Sequence, residues 1–140
     1  MENENKELVR RFFEAWSRHD VEAAAGLVAE DFVNNSSASQ GRQGVLEEGE
    51  YWFTAFPDAS VSIEELVAEG DKVVVRITST GTHGGDFMGV MPTAKRVRFQ
   101  EIDIARVENG MIAEMWAAPD VYGLLAQLGA LPPETAEESD

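Results

Sequence analysis

Glu114-Met115-Trp116-Ala117-Ala118-Pro119-Asp120, running on into Val121-Tyr122-Gly123-Leu124-Leu125-Ala126-Gln127-Leu128-Gly129, decides the reading of this chain. It combines a strand that ends in an aromatic residue, a turn at Pro119-Asp120 and a helix that closes on Leu128-Gly129. Asp120 is placed to cap that helix, because a short acceptor satisfies free N–H groups and its charge suits the positive helix end. Gly129 stops it, since glycine tolerates the left-handed backbone that follows a helix.

Working back from this stretch, the pattern has period 2. Ser60 to Ala68, Lys72 to Gly81, Arg96 to Val107 and Met111 to Ala117 read as four strands. Gly70-Asp71 and Asn109-Gly110 make the hairpin turns, because these residues accept positive φ. The segment from Gly81-Thr82-His83-Gly84-Gly85 to Pro92-Thr93 is too irregular for a strand and reads as a loop or mobile flap.

Before Phe56-Pro57-Asp58 the period changes to 3.6. Leu8, Val9, Phe12, Phe13 and Trp16 recur at helical spacing between Asn5 and His19. Asp20 caps a second, Ala-rich helix expected to reach about Val28. A third runs from about Gln43 to Phe56, burying Val45, Leu46, Trp52, Phe53 and Phe56, and ends there because proline disfavours helical dihedrals in its predecessor. Three helices, a mostly antiparallel sheet and a final helix give an α+β fold. The sheet is expected to curl around the three N-terminal helices as a cone with a mouth. Residues 1–131 read as one domain, without internal repeat, and residues 132–140 as an acidic disordered tail.

The chain has 140 residues and no cysteine, so neither disulfides nor thiolate metal sites are available, which fits a reducing cytoplasm. No apolar run approaches the roughly 20 residues that span a bilayer. The N-terminus Met1-Glu2-Asn3-Glu4-Asn5-Lys6 is unlike a signal peptide. The expected location is therefore cytoplasmic. Twenty-six acids against 11 bases give a formal charge of −15. Four of those acids lie in the tail with no base, which leaves 22 against 11, or −11, for the body. Such a surface repels phosphate, so neither nucleic acid nor anionic membrane is an expected partner.

Several separate pieces carry a family resemblance: Val9-Arg10-Arg11-Phe12-Phe13, Phe56-Pro57-Asp58, Glu69-Gly70-Asp71-Lys72-Val73, Gly81-Thr82-His83 with Met88-Gly89 and Pro92-Thr93, Ile104-Ala105-Arg106-Val107 with Asn109-Gly110-Met111-Ile112, and the closing Gln127-Leu128-Gly129. In this order and spacing the chain resembles the SnoaL-like polyketide cyclases, of the nuclear transport factor 2-like superfamily, a cystatin-like α+β barrel. The resemblance implies an intramolecular aldol cyclisation or related isomerisation of a bulky apolar carbonyl compound, without metal or cofactor. It also implies a homodimer. In the family an aspartate follows the strand aromatic and a histidine on the neighbouring strand assists it. Those positions fall here on Ala117 and Asp103, so both members of the pair are replaced.

Acid/base chemistry on a carbon acid needs a proton acceptor and a donor for the developing enolate oxygen, inside an apolar cavity. Strand alternation puts Glu101, Asp103 and Ala105 on one face and Ile102, Ile104 and Arg106 on the other. Period alone takes the isoleucines as core; the resemblance turns Asp103 inward and the isoleucines out, onto a surface that a dimer would cover. Asp103 is the leading candidate acid/base. Glu101 stands on the order of 7 Å away along the strand, and Glu48 lies one turn before Trp52. His83, within the glycine-rich segment, is a candidate catalyst or a flap anchor, and His19 a helix-end dipole partner. Asn34 and Asn35 either donate to an oxyanion or begin the serine loop after them; Asn35 is taken as a pocket residue. Trp16, Trp52, Met88, Met91, Met115 and Ala117 are the other expected contacts to a flat, mostly apolar or polycyclic ligand. Two distant histidines and scattered acids supply no metal-ligand cluster, so no metal is expected. The alternative is a binding or accessory protein that kept the fold and lost its catalyst at Ala117.

Overall fold

Leu8, Val9, Phe12 and Phe13 return every three to four residues along α1 (Glu2–Ser17), and all four are buried. Burial of each such side chain contributes about 1.5–3 kcal/mol, which is what keeps this helix on the sheet. The structure, a computed structural model, describes residues 1–131, so the tail expected over 132–140 lies outside it. His19 follows α1 in the left-handed region, at φ 64°. Its ring stacks on Phe53 with centroids 3.9 Å apart and its Nε2 meets the Ala59 carbonyl at 2.6 Å, so it ties the helix turn to the chain ahead of the sheet. Next comes α2 (Val21–Ala25), capped by the Asp20 carboxylate, which accepts from the Ala23 N–H.

One strand departs from the expected pattern. The second helix ends at Ala25, short of Val28, and Val28–Asn34, for which the sequence pattern predicts no strand, is β1. It pairs in parallel with the strand formed from Met111 to Pro119. Two features concealed it: Glu30 and Asp31 are weak strand formers, and a register shift between Val28 and Val33 breaks the two-residue alternation. Helix α3 (Gly41–Ala55) then crosses the inner face.

The remaining strands fall close to where the alternation predicts: β2 (Ser60–Glu69), β3 (Lys72–Thr82), β4 (Arg96–Glu108) and β5 (Met111–Pro119), followed by α4 (Val121–Gln127). The sheet order is β1-β5-β4-β3-β2, antiparallel except for β1. Gly70 and Gly110 turn the two hairpins at φ 61° and 72°. Register shifts in β1, in β2 and between β4 and β5 increase the local twist, and α1 and α3 fill the concave side. The Asp120 carboxylate caps α4 through the Gly123 N–H at 2.9 Å, and Gly129 ends the turn at φ 72°, both at their expected places.

The segment from His83 to Lys95 is docked. Phe87 is 1% exposed among Trp52, Phe56 and Phe99, and the N–H groups of Gly84 and Gly85 donate to the Ala55 carbonyl at the end of α3. No helix among the described residues is long and apolar enough to cross a membrane.

Candidate active site

Along β4 the inward positions are Val97, Phe99, Glu101, Asp103, Ala105 and Val107. Five of them are buried, and the apolar residues at both ends carry the two acids of the middle inward with them. Asp103 is 2% exposed, whereas Ile102 on the opposite face is 49% exposed. Period alone favoured the isoleucines only over the short window 101–106; over the whole strand the odd face is the apolar one. That longer count was the signal available in the sequence.

The inward face opens on a cavity between the sheet and α1 and α3. Trp16, Phe32, Trp52, Phe56 and Met115 supply apolar wall, and Asn34, Glu48, Glu101 and Asp103 are the amide and acids that reach it. Among the described residues no lysine, arginine or histidine lines it. A second, more polar hollow adjoins it at the mouth, with Ser36, Ser37, Ser39, Glu47 and Tyr51 in its wall. Glu48, Glu101, Asn34, Trp52 and Ala117 border both, so two carboxyls stand at the junction of an apolar interior and a polar mouth.

Asp103 lies deeper than Glu101, bordering the interior alone. Its carboxyl is pushed up to about 10, first by burial and then by the negative charge of Glu101, with a smaller contribution from Glu48. Burial also raises Glu101, and Glu48 adds to that. Two such carboxyls behave as one titrating pair. At neutral pH Asp103 therefore holds a proton, and Glu101, nearer the mouth, is the member of the pair with access to the polar hollow. Asp103 Oδ1 has no hydrogen-bond partner among the described residues.

In the β4–β5 ladder Asp103 stands directly opposite Ala117. The alanine methyl leaves room beside the Asp103 carboxyl, where a larger side chain would crowd it. Trp16, Glu48, Trp52, Met115 and Ala117 border the cavity. Asn35 does not. Its amide donates to Glu114 and to the Met115 carbonyl outside the cavity, and it is Asn34, one residue back and on the inward side of β1, that reaches the interior. Met88 and Met91, 57% and 77% exposed, also lie away from it, because Phe87 takes the inward place of that segment.

His83 is fully buried but outside the cavity. Its Nδ1 is 3.0 Å from Thr93 Oγ1 and accepts from the Thr93 N–H, and its own backbone N–H donates to the Lys95 carbonyl. It anchors the segment and touches no group of the acid pair. No three histidine or carboxylate side chains among the described residues are grouped to hold a metal ion.

The chain is similar to several known proteins. A family model described as SnoaL-like polyketide cyclase matches residues 6–128. AclR of Streptomyces galilaeus, a candidate hydroxylase, is 33% identical with a TM-score of 0.85, over 94% of this chain and 100% of its own. TsrD of Streptomyces laurentii is 29% identical with a TM-score of 0.87, over 94% and 98%. The aklanonic acid methyl ester cyclase DauD of Streptomyces sp. (strain C5) is 23% identical over 129 residues, 88% of this chain and 80% of its own.

Proposed function

The chain belongs to the SnoaL-like polyketide cyclase family, and we propose that it catalyses a cofactor-independent intramolecular aldol cyclisation or related isomerisation of a mostly apolar carbonyl compound. The observation that carries this reading is the Glu101–Asp103 pair, its deeper member Asp103 held protonated by burial and by its partner, set into a mostly apolar and aromatic cavity.

Glu101 takes a proton from the carbon beside a carbonyl group, and the electron pair left behind forms the enolate. The hydroxyl of protonated Asp103 donates to the enolate oxygen as its charge develops, and in a low-dielectric pocket that donor is worth most. In the cyclisation the enolate carbon then attacks a second carbonyl of the same molecule. A carbon–carbon bond forms, and the new alkoxide takes the proton held by Glu101. The product is an isomer of the substrate, so no outside oxidant, reductant or water is consumed. The same arrangement of a base with a neutral carboxylic acid donor is known chemistry for proton transfer beside a carbonyl.

The test follows deuterium entry from D2O into β-tetralone, a flat bicyclic ketone, by NMR. Glu101→Gln is expected to slow the catalysed exchange by about 10²-fold or more, and Asp103→Asn by about 10-fold or more, since an amide still donates. Full exchange rates in both variants overturn the assignment. A pocket that binds without turnover is the second reading, favoured by Ala117 where the family's aspartate is expected. It predicts that β-tetralone perturbs the resonances of cavity residues while its exchange stays at the uncatalysed rate.

A further inference from the structure

The last residue of β1 makes contacts that the acid pair alone does not explain. Asn34 is held from two directions. Gln40, just before α3, accepts from the Asn34 backbone N–H at 2.9 Å and donates to the Asn34 carbonyl at 2.8 Å, with a further bond to the Ser37 carbonyl. Gln40 makes no side-chain cap to its own helix; its amide instead serves as an extra rung beside the end of β1. On the side-chain side, Asn34 Oδ1 accepts from the Ser36 N–H at 2.9 Å, closing an Asx turn. That bond settles which way the amide faces, since a flipped amide would point N–H at N–H. Its Nδ2 is thereby aimed at Glu48 and donates to Oε1 at 3.1 Å.

We propose that Asn34 is a positioning residue: locked by Gln40 and by its own turn, it holds the Glu48 carboxylate against the Glu101–Asp103 pair and so sets how that pair shares its proton. The inference rests on reading the pair as the acid/base centre. Glu48 sits on α3 at the junction of interior and mouth, where an untethered glutamate turns to water. The groups that bear on the pair are few. From α3 come Glu48 and, at the mouth, Glu47 and Tyr51; α1, β1, β2, β3 and β5 present only uncharged side chains, among the described residues. Glu48 is therefore the charge nearest the pair that a single hydrogen bond can place or release.

The experiment is a pH titration of the aspartate and glutamate carboxyl carbons by 13C NMR in the full-length protein, which needs no substrate. Glu48→Gln is expected to lower the apparent pKa values of the pair by about one unit, the scale of one partly screened charge nearby. Asn34→Ala should lower them in the same direction, and the double variant should go no further than Glu48→Gln alone. Asn34→Ser guards against a folding defect: its hydroxyl can still close the turn with the Ser36 N–H but is too short to reach Glu48. It should shift the pair as Asn34→Ala does while melting near the parent. An unchanged titration in Asn34→Ser, additive shifts in the double variant, or no effect of Glu48→Gln overturns the proposal. Unaltered β-tetralone exchange in Glu101→Gln and Asp103→Asn would overturn the acid/base reading instead, without touching these titration outcomes.

Discussion

The protonated state that the proposed reaction requires of Asp103 costs stability. Its carboxyl titrates near 10 in the folded protein against 3.8 when unfolded, so between these values the native state binds more protons. Stability contributed by this group is complete below about pH 4 and is lost as the pH rises toward 10. Asp103→Asn keeps the shape and removes the titration. It should raise stability at pH 8–9 by at least about 1 kcal/mol, since a tenfold change in proton affinity corresponds to about 1.4 kcal/mol, and the gain should vanish near pH 4. Denaturant melts at the two pH values measure this, and an equal effect at both would contradict it. Turnover should follow a bell: it rises as Glu101 loses its proton, above the usual carboxylate range because of burial, and falls toward pH 10 as Asp103 loses its own. The candidate acids could be named from the sequence because alternation puts Glu101 and Asp103 on one face of β4 and the family resemblance turns that face inward. Asn34 could not be separated from Asn35, since their roles depend on whether β1 exists and which way it faces.

At the scale of elements, the segment after β3 shows how glycine is used for contact. A methyl on Gly85 would collide with the Thr54 carbonyl oxygen and crowd Ala55, where the backbones of the segment and of α3 meet. Gly85→Ala should therefore cost about 1–3 kcal/mol through overpacking and release Phe87 from Trp52 and Phe56. A lowered melting temperature together with altered tryptophan fluorescence checks it; an unchanged melt would show that the docking gives way without cost. Helical periodicity identified α1 and α3, and Pro57 marked the end of α3. β1 escaped because its bulge and its two acids remove the alternation by which a strand is recognised, and its partner, β5, lies about 80 residues away.

For the whole molecule, the outer face of the sheet is the feature left to explain. Val67, Val74, Ile104 and Trp116 are paired strand to strand in one row across β2, β3, β4 and β5. Val67, Ile104 and Trp116 are exposed, as is Ile102 beside them. A contiguous apolar band on a strongly acidic protein is a surface suited to a second copy of itself. The homodimer is proposed on this ground, and Trp116→Glu with Ile104→Glu is expected to yield a monomer. Sedimentation at micromolar concentration decides it: a monomeric parent would end the proposal.

Local sequence by itself determined the α+β class, α1 and α3, the four antiparallel strands with their turns, and the caps of α4, because each depends on periodicity or on a residue's own backbone preferences. The family resemblance, spread over the chain, added the expected curvature and the missing aspartate and histidine. Tertiary structure alone decided what β1 is, that Asn34 and not Asn35 faces the interior, and that His83 anchors a segment away from the acids. It also decided that Asp103 keeps a proton. Those outcomes depend on which distant residues come together and on how much water they exclude, and neither the spacing of side chains along a strand nor their type carries that information.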